Sequence, residues 1–445
     1  MLSLCQKQKG NFDNVNYTTT MSQFGRSRSI RKDGPLLKEF LDDLSKKFRV
    51  HGFAWVRSQG ITNIVHAIGK INLSGNDSAM RIVWRLEDDE NAILLVKNGS
   101  PQGIANCVWA CATLGIKSPN LFGELERNTT WLVEDGKPQE VANSVWACAT
   151  LGIKSLNLFG ELERNATWLV ENGNSQSITN CTWACAMLAI DSTDLLSEIE
   201  KNVDSLLAMI KSQEVSQLAW TFSVLGRQSP GFFLALEGNL DRFVAGANVH
   251  NLAITCYAMA VLDLVDENHK IMLHKLWKRL VIMKTADIQD ENLPQMLYVE
   301  AVARVYGIAL EDPPAELRTK LEGLKPSSVQ SSNFEKQISA RLFELGFDHQ
   351  REVSPFEAAP GMLSIDMACT DRKIAIECDG PFHYLTVLDG SGRSVENGST
   401  KAKRRLLQRL GWKVVNLSWE EAARNHSSKE WLRGKLVAAG IELGT

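Results

Sequence analysis

The sequence predicts an α-solenoid of helical hairpins with a period of 37 residues, followed by a small α/β domain. Two observations carry this. The stretch WACATLGIKS begins at Trp109 and again at Trp146, and the series continues through Trp183, Trp220 and Tyr257, each 37 residues after the last. Beyond residue 332 the period stops, and two short apolar runs, LSIDMAC and KIAIECD, take over.

Five units run from Pro101 to Thr285, and the first two differ at only seven of 37 positions, which marks a duplication. A degenerate unit precedes them, with Gln59 43 residues before Gln102, and another follows, with Tyr298 41 residues after Tyr257. Each unit reads as two helices. In the second unit Val141, Val145, Cys148 and Leu151 fall on one helical face and Gly152 ends the helix. The next segment, LNLFGELERNATWLV, reads as one helix with Leu156, Phe159, Leu162 and Trp168 inward and Glu161, Glu163 and Arg164 toward water. A hairpin this small cannot bury its apolar face alone, so each copy needs its neighbour.

The chain divides into residues 1–34, expected to be a disordered or targeting segment; an array over 35–310, best defined over 101–285; a linker over 311–332 with three prolines and a serine-rich end; and a domain over 333–440. Residues 1–32 hold six basic side chains against Asp13 alone, a bias weakly like that of organelle transit peptides. With no run of about 18 apolar residues, no membrane insertion is expected. The nine cysteines are scattered among apolar neighbours and suggest a reducing interior. The pairs Cys107/Cys111 and Cys181/Cys185 read as small core residues, because the second unit has Ser144 in place of the first cysteine. The repeated tryptophans also read as core, since each sits among alanines.

The pattern P-x-x-x-A-N-x-x-W-A-x-A-x-L-G resembles the octotricopeptide repeats of organellar RNA-binding proteins, well over 101–248 and loosely over 58–310. The period exceeds the roughly 33 to 34 residues of ankyrin and tetratricopeptide units. The resemblance implies single-stranded RNA as ligand, an organellar transcript or rRNA. Reading residues should then be polar and recur at one position. Gln102, Gln139, Gln176 and Gln213 do so, with Asn106, Asn143, Asn180 and Gln217 one turn later. Side-chain amides carry donors and acceptors suited to base edges, and helical repeats can read one base per unit. The same amides could instead cap helices or ladder between copies. Residues 101–285 contain 14 Lys and Arg against 19 Asp and Glu, a net of −5, which keeps a protein-binding scaffold open as a rival.

The C-terminal segment reads as a helix from Phe334, an extended stretch, a hairpin around Thr370–Arg372, a basic helix TKAKRRLLQR, a strand WKVVNLS and a last helix near Lys429–Val437. IAIECDGPFHY and GSTKAKRRLLQRLGWKVVNLSWEEA resemble the RAP domain of organellar RNA-binding proteins, through Glu377, Asp379, Gly380, Pro381, His383, Lys401, Leu406, Gly411 and Trp412. The resemblance implies a restriction-endonuclease-like fold and a role in RNA processing, stability or translation in a mitochondrion or plastid, alongside possible protein partners. In related nucleases two carboxylates hold Mg²⁺ beside a lysine. Asp366 and Glu377 fit the carboxylate places and are the candidate metal ligands, while Asp379 stands where the lysine belongs. Lys401 is expected to reach that space, with Glu335 as a further ligand. The pocket is read as inherited for binding or structure, with an array-guided endoribonuclease as the alternative; no cofactor is expected unless that alternative holds, when Mg²⁺ would be required. Lys401, Lys403, Arg404, Arg405 and Arg409 are expected to form an exposed basic ridge that, with His383, contacts RNA backbone or its end.

Overall fold

The computed structural model describes residues 12–27, 30–324, 332–356 and 363–442. They fold into two compact units, one of residues 1–188 with 192–202, the other of 189–191 with 203–445. The division falls inside the helical region, because the C-terminal domain packs with the last repeats. No helix among the described residues is long and apolar enough to cross a membrane.

In the first unit, long helices Asn14–Arg26, Ser58–Ile71, Pro101–Leu114, Pro138–Leu151 and Ser175–Met187 pack side by side in chain order. Small residues set the approach. A Cβ on Gly69 would lie 2.7 Å from the Ala110 Cβ, and one on Gly103 3.0 Å from a Thr62 methyl. The repeated cysteines Cys107, Cys111, Cys148, Cys181 and Cys185 are buried in these contacts, and burial pushes their thiols up where a shift is resolved, as at Cys148 to about 12. Gly115 and Gly152 end their helices at φ 71° and 66°, a left-handed conformation that costs glycine little.

The second layer departs from the expectation of one helix per copy. It breaks into Pro119–Arg127 and Thr129–Glu134, then Leu156–Arg164 and Ala166–Asn172. An asparagine at each break supplies the cause. Asn128 Nδ2 donates to the Glu124 carbonyl at 2.8 Å, and Asn165 repeats this with Glu161 at 2.8 Å. A side chain that takes the carbonyl four residues back competes with the helix and bends it. Because the helix begins at Leu156, that residue is 45% exposed and Leu158 is buried in its place beside Phe159 and Leu162.

Nor do all the acids of this layer face water. The Glu126 carboxylate accepts from the Ser155 hydroxyl and from Asn157 N at 2.9 Å, so it caps the corresponding helix of the next copy. Glu163 does the same with Ser192 at 2.5 Å and with the Asp194 amide, and burial raises its pKa above the usual range. An anion at a helix N-terminus satisfies orphan donors and the helix dipole together.

Two boundaries also shift. Asn14–Arg26, inside the segment expected to be disordered or targeting, is a helix whose Tyr17, Met21 and Phe24 are buried; residues 1–11 and 28–29 lie outside the described residues. In the expected linker, Ala315–Glu322 is a helix with Leu317 and Leu321 buried and Arg318 bonded to both oxygens of Glu300 at 2.9 Å. Its apolar pair outweighs the neighbouring prolines. Residues 325–331 lie outside the described residues.

In the second unit, helices Ser212–Leu225, Val249–Val261 and Leu293–Val305 carry the C-terminal domain. That domain has a four-stranded sheet in the order β2 (Gln350–Val353), β3 (Ile365–Cys369), β4 (Ile374–Asp379), β7 (Lys413–Ser418), with β4 and β7 parallel. Its core joins Ile338 and Leu342 of the helix Asn333–Glu344 to Met367, Ile376, Leu417, Leu432 and Leu436. A second sheet pairs β5 (Tyr384–Val387) with β6 (Ser394–Glu396) and, in parallel, with β1 (Ile190–Asp191).

Glu126→Ala should remove the cap between the second and first copies at a cost on the order of 1 kcal/mol. Thermal denaturation should show a drop of roughly 2–4 °C, and the same change at exposed Glu134 should leave the transition in place.

Candidate nucleic-acid interface and the pocket of the C-terminal domain

On the first unit's long helices, positions i, i+4 and i+7 share one face, so each copy's Gln, Asn and Trp line up. Gln102, Gln139 and Gln176 are exposed, and Asn106, Asn143 and Asn180 are half-buried. Among the described residues these six amides have no hydrogen-bond partner. An asparagine ladder between copies is therefore absent from this face. Gln213 is exposed and Gln217 half-buried in the second unit, with Gln217 engaged in an interaction.

The tryptophans are not core residues. Trp109, Trp146, Trp183 and Trp220 are half-buried, with their rings at the rim of the helix layer. Trp109 and Trp146 lie with centroids 6.4 Å apart and planes 28° from parallel, and the imidazole of His66 meets the edge of Trp109 at 5.4 Å. His66 stands in the degenerate copy, whose Gln59 and Asn63 repeat the exposed and half-buried pattern. Reading Gln59 forward by four and seven residues would have found both. This face carries amides, aromatic rings and Lys70 at the end of the degenerate copy's helix, with Lys117 and Lys154 exposed just beyond the next two; Glu140 in the first turn of Pro138–Leu151 is the acid on these helices of the first three copies.

In the C-terminal domain the register that sets Met367 against Ile376 brings Asp366 beside Glu377. Asp366 Oδ2 accepts from Cys378 N at 2.7 Å. Glu377 is 3% exposed, and its Oε1 is buried without a hydrogen-bond partner. Lys403 fills the lysine position. Its ammonium contacts Glu377 Oε2 and lies 4.0 Å from Asp366 Oδ1. Lys401, the sequence candidate, points away and reaches the turn at Gly226, where burial and then Arg227 lower its pKa. Two residues along a helix rotate a side chain by about 200°, so only one of the pair can face the pocket. Glu335 instead meets Arg351 at 3.8 Å.

Burial pushes Glu377 up to about 8, opposed by Lys403 and aided by Asp366. Asp366 is raised by burial against the pull of Lys403. The lysine is held charged above its usual range: burial works against the charge, and Glu377 and Asp366 outweigh it. As arranged, the carboxylates do not fit a divalent cation, because one oxygen of each is engaged and the ammonium already supplies the positive charge. Among the described residues no group of three or more His, Cys, Asp and Glu side chains is placed to hold a metal.

Beside this pair, Asp379 accepts from Asn416 Nδ2 at 2.7 Å and meets His383 Nδ1 at 3.2 Å. The same His383 nitrogen lies 2.9 Å from the Thr400 hydroxyl. Next to it Phe382 is 93% exposed, a ring presented to solvent that sequence reasoning passed over.

Of the expected basic ridge only Arg409 is exposed, and the other four cations are half-buried. On the helix Gly398–Arg409, Arg404 bonds both oxygens of Glu396 at 2.5 and 2.6 Å. Arg405 donates to the Val261 carbonyl at 2.6 Å and meets Asp263 at 3.3 Å, and the Arg409 guanidinium lies 3.9 Å above the Tyr306 ring. With Lys403 in the pocket, these cations hold the domain together and bind it to the repeats. Gly398 permits the contact, since a side chain there would run into the Ser223 carbonyl.

Residues 376–432 match the RAP domain, a span that takes in Glu377 and Lys403 of the pocket and the basic helix. A relative from Oryza sativa subsp. japonica, a "RAP domain-containing protein, chloroplastic", is 27% identical over 172 residues. The match covers 36% of this chain and 25% of the relative, so the chain spans about a quarter of that protein's length.

The pocket makes stability depend on pH. With its folded-state pKa raised to about 8, Glu377 keeps a proton that the unfolded chain releases near 4.5, so stability is full below that value and falls as pH rises through 8. Glu377→Gln cannot titrate. Its melting temperature should fall less between pH 5 and 8 than that of the unaltered protein.

Proposed function

We propose that this protein binds single-stranded RNA and acts in RNA processing, stability or translation in a plastid. In this reading an α-solenoid of octotricopeptide type reads bases, and the RAP domain holds the RNA backbone or its end. The observation that carries it is the column of unpartnered amides flanked by partly exposed aromatic rings. Amides without protein partners are available to base edges, and indole rims offer stacking surface that tolerates any base. The RAP domain and the chloroplastic relative support the RNA-related role, and of the two organelles the relative favours the plastid. Because Lys403, Arg404 and Arg405 are engaged inside the protein, the RAP contribution falls to His383, Phe382 and the exposed Arg409.

Replacing Gln139 and Asn143 together should change preference at a single interior base of the selected RNA, read by sequencing RNAs retained from a random pool. An unchanged preference in a folded variant would reject the amide code.

A second reading, cleavage at the RAP pocket, is kept by the unpartnered Glu377 Oε1 beside Lys403. Incubated with Mg²⁺ or Mn²⁺, the purified protein should leave its bound RNA intact. Cutting that disappears in both Asp366→Ala and Glu377→Ala would replace binding with an array-guided endoribonuclease.

A further inference from the structure

The cations of the basic helix are paired, but another group is not. In the first unit Lys46 and Arg49, on the helix Pro35–His51, face Arg81 and Arg85, on and just after the helix Asp77–Val83. Among the described residues none of these four side chains has an ion-pair or hydrogen-bond partner. They line a cavity of about 530 Å³, and the indole of Trp84, 48% exposed, opens onto it between the two arginines. Two carboxylates, Asp42 and Asp88, share its lining and keep their charge while held by neutral donors. Asp42 accepts from the Ser78 hydroxyl at 2.5 Å, and Asp88 from Asn91 Nδ2 at 3.0 Å. Past Arg81 a second cavity of about 600 Å³ adds Lys32 and Lys38 but also Asp33 and Asp77, so the excess of positive charge belongs to the first.

We propose that this groove binds the phosphate backbone of single-stranded RNA, with one base stacked on Trp84. Four cations against two carboxylates leave the groove net positive, and a polyanion gains by displacing the loosely held anions such a surface collects. Guanidinium groups present forked donors matched to phosphate oxygens. The indole separates nucleic acid from a plain polyanion, because only a ligand with planar rings gains from an exposed aromatic face in a cationic groove. This assignment rests on the RNA-binding reading and deepens it. The net-acidic repeats supply few phosphate contacts, and the groove supplies them from the array's N-terminal part.

The test measures binding of the full chain to an unstructured 20-nucleotide RNA and to inorganic polyphosphate across a salt series. The triple change Arg49→Glu, Arg81→Glu and Arg85→Glu should weaken RNA at least tenfold and reduce the salt slope by about 2, since each single-strand phosphate contact contributes roughly 0.7. Trp84→Ala should weaken RNA and leave polyphosphate unchanged, and Trp84→Phe should restore RNA binding. These side chains are surface residues, and the melting temperature of each variant checks its fold; Arg49→Gln with Arg81→Gln provides a milder change with the same expected direction. If the unaltered protein binds no RNA, the functional reading itself fails. If it binds and the triple variant keeps affinity and slope, or Trp84→Ala has no effect on RNA, the groove assignment is overturned and the reading stands.

Discussion

Close approach of the long helices through alanine, glycine and cysteine is the constraint on which the array depends. Where Gly69 meets Ala110, even one added carbon would intrude on the neighbouring helix. The small residues occupy the contact, so the large ring one position earlier cannot enter it. Trp109 precedes Ala110, and its indole is held at the rim in the orientation that also sets Trp146. The same packing that hides the cysteines therefore displays the aromatic column.

Charge is distributed by the same economy of contacts. Glu126 and Glu163 cap the next copy and so spend their charge within the second layer. In the C-terminal domain the Lys403 ammonium lies against the carboxyl groups of Glu377 and Asp366, with a third at Asp379 held by Asn416 and His383. Breaking a buried pair leaves an uncompensated charge, which makes such a site costly to alter whatever its use. Most cations of the basic helix are thus internal cement, and the larger open positive surface lies elsewhere in the chain.

The helical copies and the hairpin-bearing domain were legible in the sequence because burial imposes a period. What escaped was whatever depends on a distant partner. Trp146 among alanines looks apolar on every side, and only the packed neighbour shows which part of the ring stays out. Asn165 resembles an ordinary surface polar residue until its amide is seen on the Glu161 carbonyl. Lys401 and Lys403 are equally basic and two positions apart, and the choice between them is made by a sheet that one faces and the other does not. Asn14–Arg26 has the polar, threonine-rich look of a tail, yet Tyr17, Met21 and Phe24 find a core to enter.

The two-residue strand Ile190–Asp191 has a consequence for the order of assembly. It pairs with Thr386 and Val387, and Thr386 N reaches back to the Ala189 carbonyl at 2.7 Å. Almost half the chain is synthesised between these partners, so during translation the early strand waits with its edge bare until the RAP hairpin emerges. Pairings between remote residues carry the largest loop-closure entropy and form late. The last repeats and the RAP domain are therefore completed as one folding event, and a ribosome that stalls before residue 384 leaves an open strand edge available to another chain.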